Sequence, residues 1–544
     1  MLAIGVGPVW GQMAVQPATT PKGWHLMDKE TDGFQGISLE KAYKFLKGKK
    51  ARNVIVAVLD GGVDTTHEDL KGVLWRNPKE IAGNGKDDDG NGFADDVFGW
   101  NFLGSPDGKN VEKENAEFAR LYFQLKPKFD GKRLDTNLLL APEREQFRIW
   151  QQVNKTVEES QEERTTLKIV KATYKALCLY DSVIRHQWQR QAFSPAGLDQ
   201  FIPQTPEGKK AKHGFLQLVN LLQLDDEMDN QKILEEVGDF ISQKEDLLQL
   251  LEQPKPVVSY RYLITGDDPA NPHSKSFGNA DVMGASSGHG THVAGIIAAQ
   301  RNNGIGIDGI ASHARIMAVR IVPKGDEHDK DVALGIRYAV DQGAKVINMS
   351  FGKELSPHKD WVDDAIRYAA SHDVLLVHAA GNEGKNLDRT ESYPSSLLNC
   401  GTVAANMITV GASSDSSIKG TLLADFTNYG CGKVDVLAPG VKIYSTAPDG
   451  YQFMQGTSMA APVVSGIAAL IRSYYPNLSA TEVKQIIEQS ADTSYNKLPF
   501  VTPGQPKQKI TLKHACRTGG IVNAYQAVVL ADAWSSRKNL ASSK

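Results

Sequence analysis

Apolar positions along the chain fall into two rhythms, and the switch between them divides the molecule. Short, nearly continuous apolar runs occur at Val54–Leu59, Ile316–Val322, Val346–Ser350, Val374–His378 and Ile408–Val410. Helix-period stretches such as Asp331–Gln342 and Val362–His372 separate several of them. Strands apolar on both sides and spaced by helices predict a parallel sheet with helices on both faces. Functional groups then gather at the carboxyl ends of the strands, where Asp60 and Ser350 stand. A further helix is expected from His289 through Val293, Ile296 and Ile297. Another, over Ala460–Leu470, is small and apolar on most of its surface and reads as buried. Pro462 falls in its first turn, where a missing N–H costs nothing. Ser38-Leu39-Glu40-Lys41 opens an earlier helix, and Gly519–Tyr525 starts a closing one. The polar stretch after Trp534 is expected to be a flexible tail.

Between about 105 and 265 the rhythm changes. Residues 110–256 hold five glycines, where the chain's 49 in 544 would place about 13. Glycine-poor sequence with periodic apolar residues is helical. One stripe runs through Leu167, Val170, Tyr174, Leu177, Ile184 and Trp188, and another through Leu234, Val237, Ile241, Leu248 and Leu251. Ser194-Pro195-Ala196-Gly197 and Ile202-Pro203 punctuate them. The expected organisation is an apolar start over 1–20, a first α/β part over 21–105, a helical insertion of three to five helices over 106–265, a second α/β part over 266–535, and a tail over 536–544. The insertion is read either as a solvated helical hairpin or as a cap that gates the site or assists folding.

Composition narrows the class. A hydrophobic fraction of 41%, a charged fraction of 23% and a formal net charge of −3 describe a globular chain with no electrostatic pull toward nucleic acid or anionic membranes. No apolar run reaches the ~20 residues of a membrane span. The start, Met1–Gln12, is short and apolar and reads as a trimmed signal peptide, hence secretion or the periplasm. Four cysteines, Cys178, Cys400, Cys431 and Cys516, are too scattered for a disulfide framework or a metal knot. A pairing of Cys400 with Cys431 stays open. The oligomeric state is not legible.

Three stretches carry candidate chemistry. Asp60 ends the run in Val54–Gly62. His289 lies in Gly288-His289-Gly290-Thr291-His292-Val293-Ala294-Gly295. Ser458 lies in Gly456-Thr457-Ser458-Met459-Ala460-Ala461-Pro462, at a helix start where backbone N–H groups favour a developing anion. A serine hydroxyl is a weak nucleophile and needs an adjacent base that is itself oriented. The order Asp, His, Ser differs from the orders of chymotrypsin and of the α/β-hydrolases, and the serine lacks the Gly-x-Ser-x-Gly context of an esterase. His289 and His292 resemble a metal pair only superficially, because no third ligand is evident.

The three stretches resemble the signature motifs of subtilisin-like serine peptidases. That resemblance implies an α/β fold of the subtilisin type, a doubly wound and mostly parallel sheet, here with a mainly helical inserted domain. It implies a serine endopeptidase acting on polypeptides, with Ser458 as nucleophile, His289 as base and Asp60 orienting the imidazole. Ala379-Ala380-Gly381-Asn382-Glu383-Gly384 resembles the oxyanion segment, with Asn382 as amide donor. Ser350-Phe351-Gly352 resembles the stretch that pairs with extended substrate. Ala379, Ala380 and Gly381 would line the pocket for the residue before the scissile bond, with Glu383 at its rim. The insertion between the Asp and His motifs, and the short run before Val54 where the family often has an inhibitory pro-domain, depart from the pattern. A catalytically weak peptide-binding scaffold is the main rival reading.

Structural calcium is expected at two places. Asp87, Asp89 and Asn91 alternate, with Gly92 sixth, as in the first half of a calcium loop. Phe98 takes the twelfth place, so Asp95 or Asp96 is left to supply the missing carboxylate, with Asp95 preferred. The second place follows from the resemblance, with Asp69 joined by an asparagine of the Gln300–Ile307 loop, Asn303 in preference to Asn302.

Overall fold

Strands β1 (Val54–Asp60), β2 (Gly99–Asn101), β3 (Ala314–Arg320), β4 (Val346–Met349), β5 (Leu375–Ala379), β6 (Met407–Ser413) and β7 (Val436–Pro439) form one sheet in the order β2-β3-β1-β4-β5-β6-β7. Every neighbouring pair is parallel. The computed structural model describes residues 20–542 apart from 133, 136, 163, 223, 225, 227, 253–260, 269–270 and 275–276. The apolar start read as a signal remnant therefore lies outside the described residues except for Thr20.

Successive side chains on a strand point to opposite faces, and each face builds its own core. Val56 and Val58 of β1, Ile316 and Ala318 of β3 and Val346 of β4 pack on one side. They meet α2 (Leu39–Leu46), which follows the short α1 (Lys29–Asp32) and contributes Leu39 and Leu46, and later elements of that layer. Ala57, Leu59, Met317, Val319 and Ile347 pack on the other side. The predicted doubly wound α/β architecture is the observed one. Strand β1 lies between β3 and β4, so the chain crosses over at β1 and leaves a crevice at its carboxyl end.

The stretch between β2 and β3 holds α3 (Glu117–Phe129), α4 (Ala141–Glu162), α5 (Arg164–Trp188), α6 (Pro206–Leu221), α7 (Asn230–Glu252) and the short α8 (Arg261–Thr265). It has two cores. In α3 and α4, Tyr122 stacks on Trp150 with ring centroids 5.5 Å apart, and Leu355 of the α/β part joins that cluster. In α5, α6 and α7, Leu177, Ile184, Phe215 and Ile233 are buried in a cluster that, among the described residues, has no member outside 167–248. The base of the insertion is ionic: the buried Arg261 lies between Asp331 and Asp267.

After the insertion come α9 (Ser287–Ala298), α10 (Asp329–Asp341), α11 (Lys359–Ser371), α12 (Ser416–Lys419), α13 (Thr457–Tyr474), α14 (Ala480–Gln489), α15 (Leu512–Ala515) and α16 (Ala524–Ser542). Helices α9, α13, α14 and α16 lie in the first layer, and α10 and α11 in the second. Two antiparallel hairpins are added, β8 (Ile443–Ala447) with β9 (Gly450–Met454), and β10 (Pro499–Thr502) with β11 (Gln505–Thr511). The expected tail differs from the finding: α16 runs to Ser542, with Lys538 paired to Glu482 at 2.7 Å. A polar composition did not preclude a helix there, because the helix packs through Val528 and Ala531 upstream. None of the four cysteines is in a disulfide, so the Cys400–Cys431 pairing is not made.

Candidate active site

Asp60 is the last residue of β1, and Gly290 lets the neighbouring helix come close to it. A Cβ on Gly290 would stand 2.1 Å from the Gly62 carbonyl oxygen and 3.0 Å from Asp60 Cβ. That approach brings the His289 ring onto the carboxylate. Nδ1 of His289 lies 2.9 Å from both Asp60 oxygens, and Asp60 Oδ1 also accepts the Gly61 N–H at 2.8 Å. Nδ1 therefore carries the proton and Nε2 faces away with a free lone pair. Burial works against a charged ring, but the Asp60 carboxylate outweighs it and leaves the His289 pKa above the ordinary value. The side chain stays 39% exposed, so the ring is reachable from the crevice.

Ser458 sits in the first turn of α13. The turn is entered through Gly456 at φ 148°, a conformation that favours glycine. The Ser458 hydroxyl donates to the Ser350 carbonyl oxygen at 3.2 Å rather than to His289. Hydrogen bonds between a nucleophile and its base often form or tighten only with substrate bound. β4 and α13 are tied beneath it. Asn348 Nδ2 donates to Ser350 Oγ at 2.9 Å, Ser350 Oγ donates to the Ser458 carbonyl at 2.9 Å, and Ser465 Oγ donates to Asn348 Oδ1 at 2.8 Å.

Asn382 follows β5 on the adjacent loop. Its Oδ1 accepts the Thr457 N–H at 2.8 Å and the Thr457 hydroxyl at 3.0 Å, and that hydroxyl accepts the Gly381 N–H at 3.0 Å. The amide is thus held through Oδ1, and among the described residues no hydrogen bond engages its Nδ2, which lies next to the first turn of α13. Thr457, Asn348 and Ser465 had drawn no role from the sequence. The Gly-Thr-Ser spacing alone does not show that the threonine hydroxyl faces a loop 75 residues away.

The expected pocket residues divide. The Ala379 and Ala380 side chains are buried in core clusters, so they do not form an open wall. Gly381 is half-buried, and Glu383 is exposed at its side, where it accepts Asn428 Nδ2 at 2.6 Å. Phe351 is half-buried with its carbonyl bonded to His378 Nε2 at 2.9 Å, and Gly352 is exposed. His292 is fully buried, with Nε2 between the Ile443 and Gln452 carbonyls at 3.1 Å each, and burial pulls its pKa down to about 3. It pins the β8–β9 hairpin and holds no place in a metal pair.

Of the candidate calcium ligands, Asp87 and Asp89 converge, with Glu80 as the third carboxylate, their nearest oxygens within 4.8 Å of one another. Asp95 lies outside that group of three. Its oxygens accept the Gly83, Asn84 and Gly85 N–H groups, and its own N–H donates to Glu80 Oε2 at 3.0 Å. The Asn91 side chain is also engaged, its Nδ2 on Asp96 and its Oδ1 on the Phe93 N–H. Asp96 is fully buried with Tyr338 at 2.8 Å and Asn77 at 2.7 Å, and burial raises its pKa to about 6 despite those bonds. At the second place Asp69 meets Asn303, whose Nδ2 donates to Asp69 Oδ1 at 2.7 Å, while the Ile307 N–H reaches Oδ2 at 3.3 Å.

Among curated proteins, the thermophilic serine proteinase of Bacillus sp. (strain AK1) is 44% identical over 206 residues, 38% of this chain and 47% of the relative. The cell wall-associated protease of Bacillus subtilis (strain 168) is 41% identical over 207 residues, 38% of this chain and 21% of the relative. Thermitase of Thermoactinomyces vulgaris is 38% identical over 244 residues, 44% of this chain and 75% of the relative. The aligned stretch spans less than half the length of the first two relatives. The model of the subtilase family matches residues 51–519, from the strand that carries Asp60 to the loop before α16. By that match the chain belongs to the subtilase family.

Proposed function

We propose that the protein is a serine endopeptidase that cleaves polypeptides through Asp60, His289 and Ser458. Ser458 Oγ attacks the scissile carbonyl as His289 Nε2 takes its proton. Asp60 holds the ring in that tautomer and stabilises the imidazolium. The oxyanion is received by Asn382 Nδ2 and the Ser458 N–H. The imidazolium then gives its proton to the leaving amine, and water, activated by the same ring, releases the acyl group. The observation that carries this reading is the His289 ring held by both Asp60 oxygens at 2.9 Å, and it is supported by an asparagine amide oriented by Thr457, the residue before Ser458. A serine-directed phosphonate should label Ser458 in the wild type and not in His289→Ala; an unlabelled wild-type protein would leave only the peptide-binding scaffold.

Two accessory readings belong to the same proposal. Structural calcium is held by Glu80, Asp87 and Asp89, where three carboxylates within 4.8 Å call for a hard cation, and by Asp69 with Asn303. The insertion gates the crevice. Its α5–α7 unit has a separate core and meets the α/β part through polar contacts on two sides: Lys232 with Gln452, Asp226 with Lys442, and Asp239 with Lys324 at 2.9 Å. Export to the cell exterior or periplasm is supported by the cell wall-associated relative. No helix among the described residues is long and apolar enough to cross a membrane.

A further inference from the structure

Two short backbone stretches run close to one another at their far ends, and the first begins at Ser350, which bonds Ser458. One is Ser350–Gly352, continuing β4. The other is the loop after β3, through Gly325. Gly352 and Gly325 are both exposed, and among the described residues neither has its N–H or carbonyl engaged. One residue past Gly352 the situation reverses. Lys353 is buried, and its backbone pairs both ways with Tyr393 at 3.1 and 2.9 Å. Its ammonium reaches Glu117 Oε2 at 2.7 Å, the Glu327 carbonyl at 2.8 Å and Asp329 Oδ1 at 2.8 Å. Those three contacts exhaust a lysine's three donors.

Helix α3 closes the same point from the insertion side. Arg120 donates to the Asp326 carbonyl at 3.0 Å and the Glu327 carbonyl at 3.1 Å, and pairs with Glu117 at 2.6 Å. Burial works against both charges. The Lys353 pKa is nonetheless raised by Glu117 and Asp329, and that of Glu117 lowered by Lys353 and Arg120, so the pair is ionised. The two stretches are therefore joined at their far ends by an ionic cluster in which the Lys353 and Arg120 donors are all engaged, while the buried Glu327 Oε1 has no hydrogen-bond partner among the described residues.

We propose that Lys353, with Glu117 and Arg120 of the insertion, ends the groove on the acyl side, so that substrate is recognised over about three residues before the scissile bond. This rests on the reading of Ser350–Gly352 as the edge that pairs with substrate. Two residue steps from Ser350 to Gly352, at ~3.3 Å each, match an extended peptide of about three residues. The insertion then sets the reach of the site as well as access to it.

The test is a series of acetylated peptide 4-nitroanilides with phenylalanine before the scissile amide and zero to four alanines ahead of it. In the wild type, kcat/KM should climb up to three residues and stay within about twofold for the fourth and fifth. A tenfold or larger gain on adding the fourth residue overturns the stop. Glu117→Ala/Lys353→Ala removes one charge of each sign and so keeps the net charge of the cluster, leaving Arg120 on the Asp326 and Glu327 carbonyls and Asp329 on the His358 N–H. It should introduce a gain of at least fivefold at the fourth residue, and a folded double variant with the wild-type length profile also overturns the proposal. If the double variant fails to fold, the wild-type series decides alone. Phosphonate labelling of Ser458 keeps the two readings apart: no labelling and no turnover at any length defeats the peptidase assignment, whereas labelled, active enzyme with a fourth-residue gain defeats only the stop.

Discussion

Thr457→Val tests the claim that the oxyanion donor is positioned by the residue next to the nucleophile. Valine keeps the shape and removes the hydroxyl that bridges Gly381 N–H and Asn382 Oδ1, at 3.0 Å on each side. The Thr457 N–H bond to Asn382 at 2.8 Å remains, so the amide is loosened but not released. One hydrogen bond is worth about 0.5–1.5 kcal/mol net, and 1.36 kcal/mol is a factor of ten in rate. If that energy is felt only where the amide meets the oxyanion, kcat falls roughly 2- to 13-fold with KM nearly constant. Removal of the donor itself, Asn382→Ala, should cost about 10²–10³ in kcat, a magnitude taken from subtilisin, a member of the same family. The assay is steady-state hydrolysis of one chromogenic peptide by wild type, both single variants and the double variant, with urea midpoints as the stability control. On the Asn382→Ala background the valine should cost nothing further in kcat, because the group it positions is gone. A kcat loss of the same size on both backgrounds, or a rise in KM with kcat unchanged, would refute the reasoning.

Three other outcomes are expected. The rise of kcat/KM with pH, as His289 loses its proton, should have its midpoint above 6.5, because Asp60 raises that pKa against burial; Asp60→Asn should shift the midpoint down along with the rate, and a wild-type midpoint below 6.5 counts against the pairing. The same sign makes the paired, protonated ring a stabilising element that is fully present below pH 6.5 and lost as pH rises through the folded-state pKa, which thermal melts across that range would follow. Gly290→Ala should destabilise the fold by about 1–3 kcal/mol and depress kcat, since its Cβ would meet the Gly62 carbonyl at 2.1 Å; a wild-type melting curve and rate would contradict the close approach. Chelation should lower the melting temperature by removing ion binding worth about 2.7 kcal/mol at a hundredfold excess over Kd, and Glu80→Gln/Asp87→Asn should shrink that effect; a melting temperature indifferent to chelator disposes of the calcium reading.

Much of this protein was legible along the chain because local pattern and burial coincide. The runs at Val54, Ile316, Val346, Val374 and Ile408 are apolar on both strand faces since each face has its own layer, and the glycine-poor middle is helical because its stripes close their own core. The motifs around Asp60, His289 and Ser458 stood out for the same reason, as short segments whose glycines and small residues permit close backbone approach. What the tertiary structure decided is everything that depends on partners distant in sequence. Strand β2, three residues long, has too little pattern to be read before β3 lies beside it. Glu80 joins Asp87 and Asp89 in the acidic cluster only through the folding of the loop, whose Asp88, Asp89 and Asp95 N–H groups bond the Glu80 carboxylate. Asn303 reaches Asp69 across 234 positions. Thr457 acquires its partner on the β5 loop and Lys353 its partner on α3 only once the sheet order and the seat of the insertion are set. Periodicity records which face of an element is buried; it carries no record of which distant element buries it, and in this fold that second choice places the donors, charges and walls around Ser458.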